Sequence, residues 1–338
     1  MNKRTAAALI AVGAALILDS RCAAQSARDA LDLCARTLVP SLFPLLVIGA
    51  ALVPCLGAVR IPILARTLGI PAGAEGIWLL GTFGGFPVGA ASIAQSVESG
   101  ALTKSDGERM LGLCSLCGPA FLFGVLPRFL PMDEVFAIFL IQMETSLLLG
   151  ACWPGQSAGT IAPVSRSVSL PEAVQKGIHA IFNLCAWVTL AGVAAGFLRR
   201  WLFPFLPEPV GTICIGLMEL TGGIFALPQQ GRFLLATLFV CFGGVSVLLQ
   251  IGGLAAEAGL SMGQCVMQKL LHAALGTATA CLWTKFSFFG LLFPLVLAKM
   301  GLEIPRRLLY NTGERKGSEC CFGKRWSGPA STAASARK

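Results

Sequence analysis

Charged residues are scarce in this chain. They make up 13% of its 338 residues, whereas 55% are hydrophobic. A soluble globular domain carries about 25% charged residues, so the composition excludes an ordinary water-soluble domain. The mean hydropathy of +0.75 points the same way. We therefore expect an all-helical, polytopic membrane protein.

Histidine is also scarce, with only His179 and His272 in the whole sequence. No ordered His/Asp, Ser/His/Asp or metal-ligand cluster can be drawn from the remaining residues. Cys114 and Cys117 have the spacing of a metal or redox pair, but no second pair or nearby histidine completes a site. We expect no enzymatic activity, no metal and no cofactor.

Ten apolar stretches can be drawn along the chain. A helical span needs about 20 residues, so several stretches are near the minimum, and we expect eight to ten transmembrane segments with some re-entrant. The stretches cover residues 5–20, 38–57, 76–97, 110–128, 135–153, 178–198, 210–228, 233–256, 267–283 and 286–302.

The formal net charge is +9, and most of it lies at the end of the chain. Residues 306–338 hold eight basic residues and two acidic ones. Because basic flanks stay cytoplasmic, the tail and the Lys3-Arg4 pair predict that both termini of this multi-pass protein are cytoplasmic. The N-terminus also imitates a secretory signal, but we expect residues 1–27 to be a retained leading helix. The tail, 303–338, is expected to be disordered and to contact lipid rather than nucleic acid.

The stretch "GTFGGFPVGAAS" at 81–92 interrupts an apolar segment with glycine and proline, the poorest helix formers. In lipid, a broken helix is tolerated only where the break faces protein or a water-filled cavity. The stretch therefore predicts a helix break at a binding site. Replacing Gly84 and Gly85 with alanine is expected to continue the helix and to weaken solute binding.

A later part of the chain has a sequence similar to the broken stretch. Residues 83–120 align with 242–278 with one single-residue gap, ten identities over 38 positions, and "FGG" at both starts. This predicts two membrane repeats, 28–153 and 154–302. If the broken segment enters and leaves on one side, three segments of the first repeat cross and the repeats are inverted, which we favour. A kinked but complete helix would instead make them parallel.

Four motifs carry a resemblance to a known family: "GGFPVGA" at 84–90, "LCSLCGPAFLFG" at 113–124, "LMELTGGI" at 217–224 and "FGGVSVLLQ" at 242–250. In order and spacing they resemble sporulation integral membrane proteins of the YlbJ type, within the nucleoside-recognition, or Gate-domain, group. The resemblance implies an inner-membrane protein of endospore-forming bacteria. It also implies movement of dipicolinic acid toward the forespore, the role given to the family's stage V sporulation member. The wider group includes nucleoside transporters built on paired re-entrant hairpins.

We therefore expect a transporter of a small polar or anionic solute, whose partners are that solute and membrane lipids. The alternatives are a transporter of nucleosides or related metabolites, and a non-transporting sporulation membrane component. Freed N–H groups at half-helix amino termini can receive carboxylates without a buried Lys or Arg.

The candidate site follows from the breaks and from polar residues inside apolar segments. A charged side chain at mid-bilayer costs at least ~2.5 kcal/mol, so an acidic residue within an apolar segment indicates a function. Glu144 and Glu219 are therefore candidates for ion coupling. Candidate solute-binding residues are Gly84, Gly85, Phe86, Pro87, Gly89, Gln95, Ser115, Gly118, Pro119, Glu219, Thr221, Gly222, Gly243, Gly244, Ser246 and Gln250.

Overall fold

The computed structural model describes residues 3–56, 59–153, 161 and 168–286, and every regular element among them is a helix. A π-helical turn, Cys34–Leu38, joins the second helix to the third. The helices are α1 (Lys3–Leu18), α2 (Ser20–Leu33), α3 (Val39–Leu56), α4 (Pro62–Leu68), α5 (Glu75–Gly84), α6 (Phe86–Glu98), α7 (Lys104–Leu113), α8 (Pro119–Val125), α9 (Met132–Cys152), α10 (Leu170–Trp201), α11 (Glu208–Met218), α12 (Leu220–Phe225), α13 (Arg232–Phe242), α14 (Val245–Glu257) and α15 (Gly263–Phe286).

Four of the described helical runs are long and apolar enough to cross a membrane: Ser20–Ile48, Met132–Cys152, Leu170–Trp201 and Arg232–Glu257. The expectation of an all-helical fold is confirmed for the described residues, and these four runs are compatible with the expected membrane-spanning helices. The expected eight to ten segments are not reached within the described residues, because several apolar stretches are divided into half-helices. α5 and α7, for example, have 10 residues each, about half of what a bilayer requires.

Short-range signals in the sequence account for several helix starts. The Thr103 hydroxyl accepts a hydrogen bond from Asp106 N–H at 3.1 Å and begins α7. The Ser169 hydroxyl accepts one from Glu172 N–H at 3.4 Å and begins α10. Such caps satisfy amide groups that have no partner within their own helix.

The core lies between the half-helices and two longer helices, α9 and α15. α15 packs against α7, α9 and α13, while α10 packs against α2 and α3. Met110, Ile138 and Phe239 are fully buried where these elements meet. Half-helices thus pack against longer helices in this core.

The predicted divisions of the chain can be placed on this architecture. The division between residues 27 and 28 lies inside α2, and the one between 153 and 154 follows the end of α9. The predicted tail, 303–338, and nearly all of the stretch 286–302 lie outside the described residues.

Candidate functional site: four interrupted helices around one cavity

The first interruption is a hairpin at Gly85, between α5 and α6. Gly85 has φ +86° and ψ −174°, a backbone conformation that is essentially restricted to glycine. The two half-helices fold back on each other, so that a Cβ built on Gly89 would lie 2.9 Å from Gly81 Cα. The break expected in "GTFGGFPVGAAS" is therefore a sharp reversal, made possible by small residues on both arms.

The second interruption is a hairpin at Glu219, between α11 and α12. A Cβ built on Gly223 would collide with Gly216 Cα, so these two arms also lie against each other. The Glu219 carboxylate accepts hydrogen bonds from Thr221 N–H at 2.9 Å and from Gly222 N–H. One acidic side chain thus satisfies two amide groups that the interruption leaves without helical partners.

The other two interruptions are open. Residues 114–118 separate α7 from α8, and Gly243 and Gly244 separate α13 from α14. In each case the two half-helices hardly touch each other, whereas the two arms of each hairpin pack together. These interruptions therefore divide a helix without reversing the chain.

Each hairpin tip meets one open interruption. A Cβ built on Gly85 would lie 3.2 Å from Gly118 N, and one built on Gly244 would lie 3.2 Å from Leu220 N. Gly243 touches the ring of Phe86, where a Cβ would lie 3.1 Å from two ring carbons. That contact joins the two pairs, so all four interruptions belong to one cluster.

The cluster encloses a cavity of about 60 Å³, room for about four water molecules at 10–15 Å³ each. Two 13-residue half-helices, α6 and α14, begin at its wall. A helix of that length places a partial positive charge at its amino terminus and favours anions there. The lining residues are Leu38, Leu42, Leu46, Gly84, Gly85, Phe86, Cys117, Gly118, Ala120, Phe121, Leu184, Val188, Glu219, Leu220, Thr221, Ser246, Val247 and Gln250.

A few polar side chains stand in this mostly apolar wall. The Ser246 hydroxyl is buried and makes no hydrogen bond within the described part of the chain. Thr221 and Gln250 are also buried at the cavity. A mainly apolar cavity with a small number of convergent polar groups is typical of a small-molecule site.

The structure brings half of the sequence-predicted binding residues to the cavity wall: Gly84, Gly85, Phe86, Gly118, Glu219, Thr221, Ser246 and Gln250. Others lie beside it with structural contacts. Gly89 allows close packing of the first hairpin, and the Ser115 hydroxyl donates to Leu111 O at 2.5 Å. Pro119, Gly222 and Gly243 lie at the interruptions but not in the cavity wall, and Pro87 stands in the first turn of α6.

Two predicted residues lie away from the cavity wall. Gln95 is exposed on α6 and lies more than two turns beyond the hairpin tip. Glu144 is buried on α9 beside the fully buried Thr145, but it does not line the cavity. Polarity inside an apolar segment identified both residues without indicating which way they face.

Sequence reasoning did not place two side chains that hold the open interruption at 114–118. Gln142 of α9 accepts from Cys117 N–H at 3.0 Å and donates to Cys117 O at 2.7 Å. Lys269 of α15 donates to Ser115 O at 3.0 Å. A lysine within the apolar stretch 267–283 is the signal that could have drawn attention to the second contact.

The alignment of the two "FGG" motifs joins elements of different kinds. Gly85 forms the tip of a hairpin, whereas Gly244 belongs to an open interruption. Gly118 adjoins an interruption, whereas its aligned partner Gly276 lies inside the continuous helix α15. The alignment therefore does not mark structurally equivalent positions.

Comparisons with protein-family models, with curated proteins and with solved structures found no match. Among the described residues, no three His, Cys, Asp or Glu side chains are grouped so that they could hold a metal ion. The functional argument accordingly starts from the cavity and the interruptions around it.

Proposed function

We propose that this chain is a membrane transporter of a small polar or anionic solute, which binds in the cavity between the four interruptions. The observation that carries the proposal is the meeting of the α6 and α14 amino termini at a cavity that also holds the Ser246 hydroxyl, which has no hydrogen-bond partner among the described residues. Discontinuous helices whose amino termini point at a central site are characteristic of secondary transporters. The four helical runs that are long and apolar enough to cross a membrane are consistent with a membrane protein.

The order of elements in the two halves supports transport and takes the place of the "FGG" alignment. Apart from the short helix α4, the first half has the order α3, hairpin α5–α6, open interruption α7–α8, α9; the second has α10, hairpin α11–α12, open interruption α13–α14, α15. In both halves the hairpin tip touches the open interruption. If each hairpin enters and leaves on one side, each half crosses three times, and the halves are inverted. Inverted repeats are a common basis for alternating access.

The cavity chemistry favours a carboxylate-bearing solute. Within the cavity the Glu219 carboxylate already accepts amide hydrogen bonds at the start of α12, as a solute carboxylate could at α6 or α14. Dipicolinate, the solute implied by the family resemblance, carries two carboxylates.

Uptake by proteoliposomes tests this function. Radiolabelled dipicolinate should accumulate in vesicles containing the protein and not in empty vesicles. Unlabelled dipicolinate should compete, whereas its neutral dicarboxamide should not, because amide groups carry no charge for the helix termini to stabilise. Competition by nucleosides but not by dipicolinate would instead support the nucleoside alternative. Absence of uptake for both solute classes would contradict the proposed function.

A further inference from the structure

Lys269 is a fully buried lysine in the middle of the protein, on α15. Its Nζ donates to Ser115 O at 3.0 Å and lies 5.2 Å from the centre of the Phe86 ring. Ser115 belongs to the open interruption between α7 and α8, and Phe86 lines the cavity. The ammonium therefore links α15 to an interruption at the site.

No carboxylate neutralises this ammonium within the described residues. The ion pairs found there join Arg36 to Asp32, Lys176 to Glu172 and Arg200 to Asp19. The titratable groups that act on Lys269 electrostatically are the thiols of Cys117, Cys241 and Cys265. A buried charge is normally paired or coordinated. Among the described residues, the backbone carbonyl of Ser115 and the aromatic face of Phe86 provide this stabilisation.

The interruption explains why a carbonyl is available at this place. α7 ends at Leu113, and beyond it the Ser115 carbonyl accepts from Lys269 instead of from a helical amide. The carboxyl end of a half-helix carries partial negative charge. In transporters with discontinuous helices, unwound carbonyls and half-helix carboxyl termini coordinate the coupling cation. Lys269 thus donates to a backbone carbonyl oxygen, the type of ligand that a sodium ion would use.

We propose that the Lys269 ammonium takes the place of a coupling cation at the α7–α8 interruption. Solute binding in the neighbouring cavity then requires no alkali metal ion. The proposal rests on the transport function proposed above and adds its cation requirement. The Phe86 ring connects the two, because it receives the ammonium on one side and forms part of the cavity wall.

The first test uses the parent protein in proteoliposomes. Dipicolinate uptake is measured in sodium, potassium and N-methylglucamine chloride at equal ionic strength. Uptake rates within about twofold of one another are expected in the three salts, because the Lys269 side chain itself provides the positive charge. A loss of tenfold or more when sodium is omitted would overturn the proposal.

The second test does not depend on transport. Thermal unfolding of purified parent and Lys269→Ala is followed by tryptophan fluorescence in sodium chloride and in choline chloride. The parent midpoint should be the same in both salts. The variant should unfold at lower temperature in choline, and sodium should raise its midpoint by about 3 °C, because the vacated space beside Ser115 O can bind the ion.

Matched variants make the second test specific. Lys176→Ala removes a partly exposed lysine on α10 and should show no difference between the two salts. A sodium-dependent parent midpoint, or a folded Lys269→Ala with no sodium response, would overturn the proposal. If Lys269→Ala fails to fold, Lys269→Ser, which also vacates the space beside Ser115 O, takes its place in the stability comparison, and the parent measurements still decide the sodium requirement. If no solute is transported at all, the transport function fails while the unfolding experiment still tests Lys269.

Discussion

The open interruption at residues 114–118 and the hairpin tip at Glu219 differ in how their backbone groups are satisfied. At 114–118 the support comes from other helices: Gln142 of α9 holds both backbone groups of Cys117, and Lys269 of α15 holds Ser115 O. At Glu219 the support comes from the same residue, whose carboxylate accepts from two amides within three positions.

The interruption at 114–118 is thus held by tertiary contacts, whereas the one at Glu219 is held by a local contact. The geometry at Glu219 follows from one acidic side chain next to glycine, so it forms wherever the two half-helices form. The geometry at 114–118 exists only when α9 and α15 are docked. The first should therefore tolerate loosening of the bundle, and the second should respond to any change that moves α9 or α15.

Gln142→Leu should have the largest effect, because it leaves the buried N–H and C=O of Cys117 without their partner. Each unsatisfied buried group costs about 1–3 kcal/mol, so a loss of about 2–6 kcal/mol is expected. It is measured as a fall in the thermal midpoint of the purified protein.

Thr145→Val is the control for that change. Thr145 is equally buried on the same helix, but its hydroxyl donates to carbonyls of its own helix, the shorter contact being to Ile141 O at 2.6 Å. Equal midpoints for Gln142→Leu and Thr145→Val would show that the 114–118 interruption does not depend on α9.

Gly85→Ala should be the next most damaging change. The structure revises the expectation that alanine simply continues the helix here, because Gly85 has φ +86° and a Cβ would approach Gly118 N to 3.2 Å. Strain of about 1–3 kcal/mol and loss of dipicolinate uptake are expected. Gly100→Ala is the control: Gly100 has φ +73° with open space around it, so this variant should retain uptake. Similar losses of uptake in both variants would show that the contact between the hairpin tip and Gly118 is not needed for transport.

Glu219→Gln should cost about as much stability as Gly85→Ala and should reduce uptake strongly. The amide can still accept from one N–H, while the other loses a charge-assisted bond, a loss of about 1–3 kcal/mol. Glu144→Gln, away from the cavity wall, should reduce uptake less. The comparison is made on initial uptake rates after matching the amount of protein in the vesicles, and equal rates for Glu219→Gln and the parent would exclude Glu219 from the site.

Ser246→Ala should have the smallest effect on folding and is the most specific probe of the cavity. Its hydroxyl has no partner in the described residues, so the thermal midpoint should stay the same or rise slightly. Solute affinity should fall. Ser96→Ala on α6 is the control, since that hydroxyl donates to Ser92 O at 2.7 Å within its own helix. Unchanged affinity in both variants would place the solute elsewhere.

The sequence by itself determined the helical class and the places where helices are interrupted. Scarce charge and long apolar stretches require internally hydrogen-bonded helices in lipid. Gly85, Gly243 and Gly244 marked two interruptions because glycine adopts backbone conformations that other residues avoid. Glu219 stood out because a carboxylate next to Thr221 and Gly222 is a local arrangement, readable within a few residues.

Only the tertiary structure decided what each interruption does. Glycine permits the chain to leave the helix but does not set its direction, so "FGG" occurs both at a hairpin tip and at an open interruption. The partners of 114–118 were equally hidden, since Gln142 lies 25 residues from Cys117 and Lys269 lies 154 residues from Ser115. A hydrogen bond across such a separation depends on how the helices pack, and that packing is a property of the whole bundle rather than of either segment.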